Sequence, residues 1–257
     1  TRLQDNVYNW GYDPKNYNAP EGSYSTDPYN PEARIREFKE MVRGLHRDGI
    51  RVIMDVVYNH TFVGDGSNFS LTVPGYFYRH KPDGSYSDAS GCGNETASER
   101  AMVRRYIVES VKYWAEEYHV DGFPLVKVGR EDLMGIHDVE TMNEVKAELT
   151  KLDPSIFVYG EGWTASDSPL PEDQRAIKVN APKLNDVAVF SDDLRDALKG
   201  SVFETTQAGF ASGKPEGNEE SIKFGIVGAI FYTYNQRQRE NVTHEMSVLK
   251  NEFYNDA

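Results

Sequence analysis

The sequence predicts an α/β fold built on a parallel sheet. Amphipathic helical stretches alternate with short apolar runs rich in β-branched residues, in the order helix–strand–helix–strand–helix–strand, the pattern of parallel βα units. Polar stretches follow the apolar runs, and in such folds the chemistry sits at the C-terminal ends of the strands. No internal repeat is evident. Either a doubly wound sheet or a (β/α)8 barrel fits this order.

Residues 1–30 are dominated by Asn, Gly, Pro, Ser and Tyr, hold no period, and read as loop. A helix is predicted over 31–47. Asn30 suits the N-cap, Pro31 the first helical position and Gly49 the stop, and Ile35, Phe38, Met41, Val42 and Leu45 form one apolar face. The run 50–58 reads as a strand buried on both faces. A long polar loop spans 59–95, and loops of that length are usually functional. A helix follows over about 98–118, with Thr96 and Glu99 at capping-box spacing and Val103, Ile107, Val111, Trp114 and Tyr118 as its stripe. A strand is predicted over 119–128. Asp138 then caps a helix carrying Met142, Val145, Leu149 and Leu152, which ends at Asp153-Pro154. Residues 156–159 read as another buried strand, 187–190 as a further one, and 192–198 as a short helix.

The 257 residues are ample for a real core. With 39% hydrophobic and 27% charged residues the chain is ordinary globular material. Lys+Arg is 28 and Asp+Glu 41, a net charge of −13. Such a surface repels phosphate backbones and anionic lipid, arguing against nucleic-acid and membrane partners but not against a neutral sugar. No run of about 18 apolar residues is present. Cys92 is the single cysteine, so no internal disulfide forms. Residues 1–5 do not read as a signal peptide and lack an initiator Met, which suggests a processed or excised chain. The compartment, soluble cytoplasmic or secreted, stays open, as does the oligomeric state. The 16 Tyr include many in polar stretches, where flat rings serve either as tolerated surface residues or as stacking platforms for a ligand.

Tyr58-Asn59-His60 follows the run 50–58, and Asp55 lies inside it. Gly160-Glu161-Gly162-Trp163 follows the strand at 156–159. A Glu between glycines beside a Trp has the surroundings that raise a carboxyl pKa toward a general-acid role. Asp132 and Asp138 follow the strand at 119–128. Two carboxylates meeting from neighbouring strand ends are the minimum for glycoside hydrolysis. Taken singly, each of these residues also has a purely structural reading, as a paired strand Asp, a loop carboxylate or a satisfied His.

Together they resemble a known family. Tyr8-Asn9-Trp10-Gly11-Tyr12-Asp13-Pro14 resembles the signature of type I pullulanases. Asp55-Val56-Val57-Tyr58-Asn59-His60 is similar to the first conserved region of the α-amylase superfamily (glycoside hydrolase family 13). Val120-Asp121-Gly122-Phe123, resumed at Arg130-Glu131-Asp132-Leu133-Met134-Gly135, resembles the second, and Val158 to Trp163 the third in its pullulanase form. The similarity runs from about residue 6 to about 230, giving a catalytic domain over 1–230 and a divergent, helical segment over 231–257. The resemblance implies a (β/α)8 TIM-barrel-derived parallel sheet, here incomplete, and retaining hydrolysis of α-1,6 links in pullulan and branched dextrin. By that resemblance Glu161 is the acid/base and Asp132 the nucleophile, with Arg130 holding the nucleophile ionised. Tyr12 is the platform under the reacting sugar, His60 a hydrogen-bond donor to it, and Asp55 a structural carboxylate beside it. Trp10 and Trp163 line the same cleft. No cofactor is implied. Many relatives carry calcium, and the loop 59–95 offers Asp65, Asp83 and Asp88, but without diagnostic ligand spacing.

Two departures mark this chain. Residues 124–129 intervene inside the second region, and Glu131 replaces a Phe. Six extra residues lengthen an extended strand by roughly 20 Å. Either the upstream register holds and Val126 takes the nucleophile's place, or the downstream register holds and Asp132 does. The first predicts a bulge after Gly129 and negligible hydrolysis. The fourth region, with its His-Asp pair, is not found, and His137-Asp138 directly follows the second. A debranching hydrolase and a catalytically impaired glucan-binding or inert fragment of the same family are therefore both open.

Overall fold

Asn30 opens the first helix, α1 (Pro31–Arg47), where its side-chain oxygen accepts from the backbone N–H groups of Glu32 and Ala33. The structure, a computed structural model, describes residues 11–125, 137–160, 162–164, 166–202, 204 and 206–227. Asn30→Ala is expected to lower the unfolding free energy by about 1 kcal/mol in urea titration. At the other end Gly49, at φ 74°, turns the chain out of the helix in a conformation that costs only glycine nothing. Ala33 and Val42 are the buried residues of α1, while Phe38 meets Tyr118 edge-on at 5.1 Å. Met41 was expected on the buried face but is half exposed, because it borders a 490 Å³ cavity rather than a packed neighbour.

The run 50–58 is not a regular strand as the sequence predicts. It forms a parallel bridge from Ile53 to Gly122, with Asp121 N–H donating to Val52 O at 2.7 Å and Met54 N–H to Gly122 O at 2.9 Å. Val52, Val56, Val57 and Tyr58 are buried, but Ile53 stands 48% exposed. The expected loop 59–95 contains a short helix, α2 (Asn68–Thr72), and two antiparallel bridges, Tyr78 to Thr96 and His80 to Tyr86.

The helix α3 (Ala101–Tyr118) buries the whole predicted stripe and ends at His119, φ 56°. Its expected capping box is absent. The Thr96 hydroxyl donates to Tyr58 O at 2.8 Å and Glu99 pairs with Arg79, so both side chains are committed elsewhere and Arg100 stands at the N-cap. The strand β1 (Gly122–Leu125) pairs in parallel with β2 (Phe157–Gly160), with Phe123 opposite Val158 and Leu125 opposite Gly160. A Cβ on Gly122 would lie 2.9 Å from Phe157 O, so the close approach of the strands needs glycine. Phe123 and Val158 are fully buried on the core side. Phe157 is 49% exposed, so β2 is not buried on both faces as expected. Of the predicted strand 119–128, residues 126–128 lie outside the described residues.

The helix α4 (Val139–Leu152) starts at Asp138, whose carboxylate accepts from Thr141 N–H at 2.9 Å. Met142, Val145 and Leu149 are buried, whereas Leu152, in the last turn, is exposed. α3 packs against both α4 and α1. The short strand β3 (Ala188–Val189) completes the sheet order β1-β2-β3.

The chain divides into two compact units, 1–177 with 184–188, and 178–183 with 189–257. In the second, α5 (Asp192–Lys199) and α6 (Glu219–Val227) pack together, and Lys178 pairs with Asp192. The expected boundary at 230 and the helical tail fall outside the described residues. Among the described residues no helix is long and apolar enough to cross a membrane.

Candidate active site

The loop 11–17 has no regular structure, so side chains must hold it. Tyr17 is the anchor. Its ring stacks on Tyr58 at 4.9 Å, its hydroxyl donates to His60 O at 2.6 Å, and its carbonyl accepts from the Trp114 indole at 3.1 Å. Burial pushes the Tyr17 and Tyr58 phenols well above their ordinary pKa, so both keep their protons and remain donors. The loop that carries Tyr12 and Asp13 is thereby fixed to the segment 55–60.

Two polar pairs result. Tyr12 Oη donates to Asp55 Oδ2 at 2.7 Å. Partial burial pushes the Asp55 carboxyl above its ordinary pKa and the Tyr12 hydroxyl draws it back, although the residue as a whole remains exposed. His60 is fully buried, with Nδ1 2.5 Å from Asn59 Oδ1 and Nε2 3.3 Å from Asp13 Oδ1. Asn59 is itself buried, while the Asp13 side chain is half exposed. Oxygens on both sides fix the imidazole plane, and Asp13 presents the open end of the chain. Tyr159, near the end of β2, has its phenol pKa raised by burial and then by the Asp55 charge, so the strand end and the two pairs share one neighbourhood.

Beyond β2 the chain turns at Gly162, φ 81°, into the partly buried Trp163. The following segment is held by a buried charge. Arg79 Nη1 donates to Glu95 Oε1 at 2.8 Å and to Ser168 Oγ at 3.2 Å, while its Nη2 donates to Glu99 Oε2 at 2.7 Å. Ser168 Oγ also donates to Glu95 Oε1 at 2.9 Å, and Ser166 Oγ to Asp88 O at 2.6 Å. These bonds fasten the segment after β2 to the long loop that follows His60.

Of the predicted site residues, Tyr12 and Asp55 meet directly, and His60 is brought to Asp13, the neighbour of Tyr12. Trp163 lies on the segment after β2. Trp10, Arg130, Asp132 and Glu161 lie outside the described residues. Asp13 and Arg79 were missed. Asp13 could have been found, since it stands in the same motif as Tyr12. Arg79 could not, because its partners lie up to 89 positions away with no period between them. Asp138 is a helix cap, bonded to Ser98, Thr141 and Arg104. The three loop aspartates accept hydrogen bonds within the loop 59–95. Asp65 accepts from the Tyr86 hydroxyl, Asp83 from Ser85, and Asp88 from Gly93 N–H. Among the described residues no group of three or more His, Cys, Asp or Glu is placed to hold a metal ion.

No family model matches the chain. It is 45% identical over 223 residues to a pullulanase of Bacillus subtilis strain 168, covering 87% of this chain and 30% of that protein. It is 38% identical over 230 residues to a chloroplastic pullulanase of Arabidopsis thaliana, covering 83% of this chain and 23% of that one. Its fold matches the crystal structure of a Paenibacillus barengoltzii pullulanase in complex with maltohexaose and α-cyclodextrin. The TM-score is 0.83 at 49% identity, over 93% of this chain and 35% of that one. The chain thus spans about a third or less of the length of these relatives. With 45% identity over 87% of its length and a TM-score of 0.83 over 93% of it, the chain belongs to the type I pullulanase family.

Proposed function

We propose that this chain carries the sugar-binding and catalytic strand ends of an α-glucan debranching glycosidase, acting on α-1,6 links of pullulan and branched dextrin. The observation that supports it best is the pairing of Tyr12 with Asp55 beside the buried His60, on the two segments that resemble the family motifs. The Paenibacillus relative of the same fold is in complex with maltohexaose. In this reading Tyr12 offers its ring face to the reacting sugar, with its hydroxyl tied down by Asp55. His60 donates to a sugar hydroxyl when it exchanges the long 3.3 Å contact with Asp13 for the ligand. Glu161 protonates the leaving oxygen, Asp132 attacks the anomeric carbon, and water then releases the glycosyl group with Glu161 acting as base. Arg130 keeps Asp132 ionised, and Trp10 and Trp163 stack on neighbouring sugars.

Intrinsic Trp fluorescence is expected to change on titration with millimolar maltotriose. Tyr12→Phe frees the Asp55 carboxylate from its donor and is expected to weaken binding about fivefold, the effect of roughly 1 kcal/mol. A folded chain without a fluorescence response to maltotriose overturns the proposal.

One observation favours a second reading, glucan binding without hydrolysis. Pro124 and Leu125, the first two residues of the insert, are strand residues paired with Tyr159 and Gly160. The upstream register is therefore kept into the insert, which favours a displaced Asp132. Release of reducing sugar from pullulan by the unaltered chain would exclude this reading.

A further inference from the structure

We propose that the pocket beneath Phe62 is an outer subsite for a glucosyl unit of the same α-glucan chain. The proposal rests on the glucan-binding reading above and extends it to the residues that follow Asp13 and His60 in the chain. The pocket has a volume of 200 Å³ and is bordered by Pro14, Lys15, Phe62, Val63, Ser67 and Asn68. It is built on the same two chain segments as the Tyr12–Asp55 and Asp13–His60 pairs, with Pro14 and Thr61, the next residues after Asp13 and His60, in its wall. Phe62 N–H donates to Pro14 O at 3.0 Å, two residues beyond His60 on one side and one beyond Asp13 on the other. A linear oligosaccharide seated on Tyr12 thus has an adjoining place for a further unit.

Phe62 is 63% exposed. An aromatic face left in water at the edge of a polar cleft is the form of surface that stacks on the C–H face of a pyranose. The walls are already fixed. The Thr61 hydroxyl bonds with Val63 O at 2.7 Å and Tyr78 Oη at 2.6 Å, and Tyr78 Oη donates to Ser67 Oγ at 2.8 Å. Ser70 Oγ donates to Gly64 O at 2.8 Å, and Phe69 is stacked on Phe77 at 3.8 Å. Ordering of the loop has been met in folding, so little of the contact energy is lost on binding. At the rim stand the donors a sugar's hydroxyls require. Lys15 has no ion-pair partner among the described residues, and Asn68 makes only a 3.4 Å contact to Asn16 through its amide nitrogen. An anionic ligand is disfavoured, since Lys15 is flanked by Asp13 on a chain of net charge −13.

The test is isothermal titration of the chain with maltose, maltotriose and maltohexaose. Affinity is expected to rise with length. Phe62→Ala is expected to weaken maltohexaose roughly tenfold and to leave maltose unchanged, while Phe62→Tyr, which keeps the ring, restores the longer ligand. Lys15→Gln, at a second wall of the pocket, is expected to weaken maltohexaose by about threefold. If the unaltered chain binds none of the three, the glucan-binding reading falls and the subsite with it. If maltohexaose binds but Phe62→Ala and Lys15→Gln leave its affinity unchanged, the subsite alone is overturned. Equal weakening of maltose and maltohexaose by Phe62→Ala would make the ring part of the central site and would also overturn it.

Discussion

Arg79→Leu is expected to lower the unfolding free energy by about 3–5 kcal/mol, read from urea titration at neutral pH. Arg79 is 4% exposed and its partner Glu95 fully buried. Burial by itself would lower the Arg79 pKa, but the hydrogen bonds and charges of Glu99 and Glu95 outweigh it and push it up. Without the guanidinium, Glu95 keeps only neutral donors among the described residues, Ala89 N–H and the Ser168 hydroxyl. A buried carboxylate with neutral donors alone is the costly case, more than the loss of the pair itself. Arg79→Leu combined with Glu95→Leu should therefore recover a large part of the loss. The same substitution reaches the site, because Ser168 lies on the segment that begins at Gly162 and Trp163. Trp emission is expected to shift in the single variant while far-UV circular dichroism is retained below the unfolding transition. A loss below about 1 kcal/mol, in the range of exposed ion pairs, would show that Arg79 holds nothing essential.

What sequence could reveal follows the physics of each element. α1, α3 and α4 were legible because burial of one face imposes a helical period, and Asn30, Gly49 and Asp138 punctuate it. β1 and β2 were legible as apolar runs, and their parallel pairing follows from the helix between them. Double burial of the run 50–58 and of β2 does not hold, since composition cannot say that Ile53 in the first and Phe157 in the second stand half exposed. Thr96 and Glu99 had the spacing of a capping box, but spacing is a local signal, and long-range partners claimed both side chains. The site divides in the same way. Tyr12, Asp55 and His60 were found through motifs, whereas the Arg79 network and the Asp13 bond to His60 join loops that carry no period. Pairings across 47 and 89 positions become visible only when the chain is folded.

His137 gives the fold a dependence on pH that can be isolated. The side chain is fully buried, and its Nδ1 has no hydrogen-bond partner among the described residues. Burial lowers its pKa from 6.5 to about 4; the Asp138 charge opposes that shift and the Arg79 charge adds to it. In the unfolded chain the same imidazole titrates near its ordinary value. Between these two values the unfolded chain binds more protons than the folded one, so stability falls as pH drops through that window and levels off below about 4. Between pH 7 and pH 4.5 the loss from His137 is expected to be about 2 kcal/mol. Asp138 acts further down. Burial would raise its carboxyl pKa, but the bonds from Thr141 and Ser98 and the Arg104 charge hold it below 3.8, and its contribution is lost only as pH falls through that lower value. The measurement is urea unfolding of the unaltered chain and of His137→Leu at both pH values. Leucine introduces a packing cost common to the two pH values, which cancels in the difference between them. The variant is therefore expected to lose about 2 kcal/mol less than the unaltered chain over the interval. Equal losses in the two proteins would mean that His137 protonates as readily folded as unfolded, and that the acid sensitivity of the fold originates in its carboxylates.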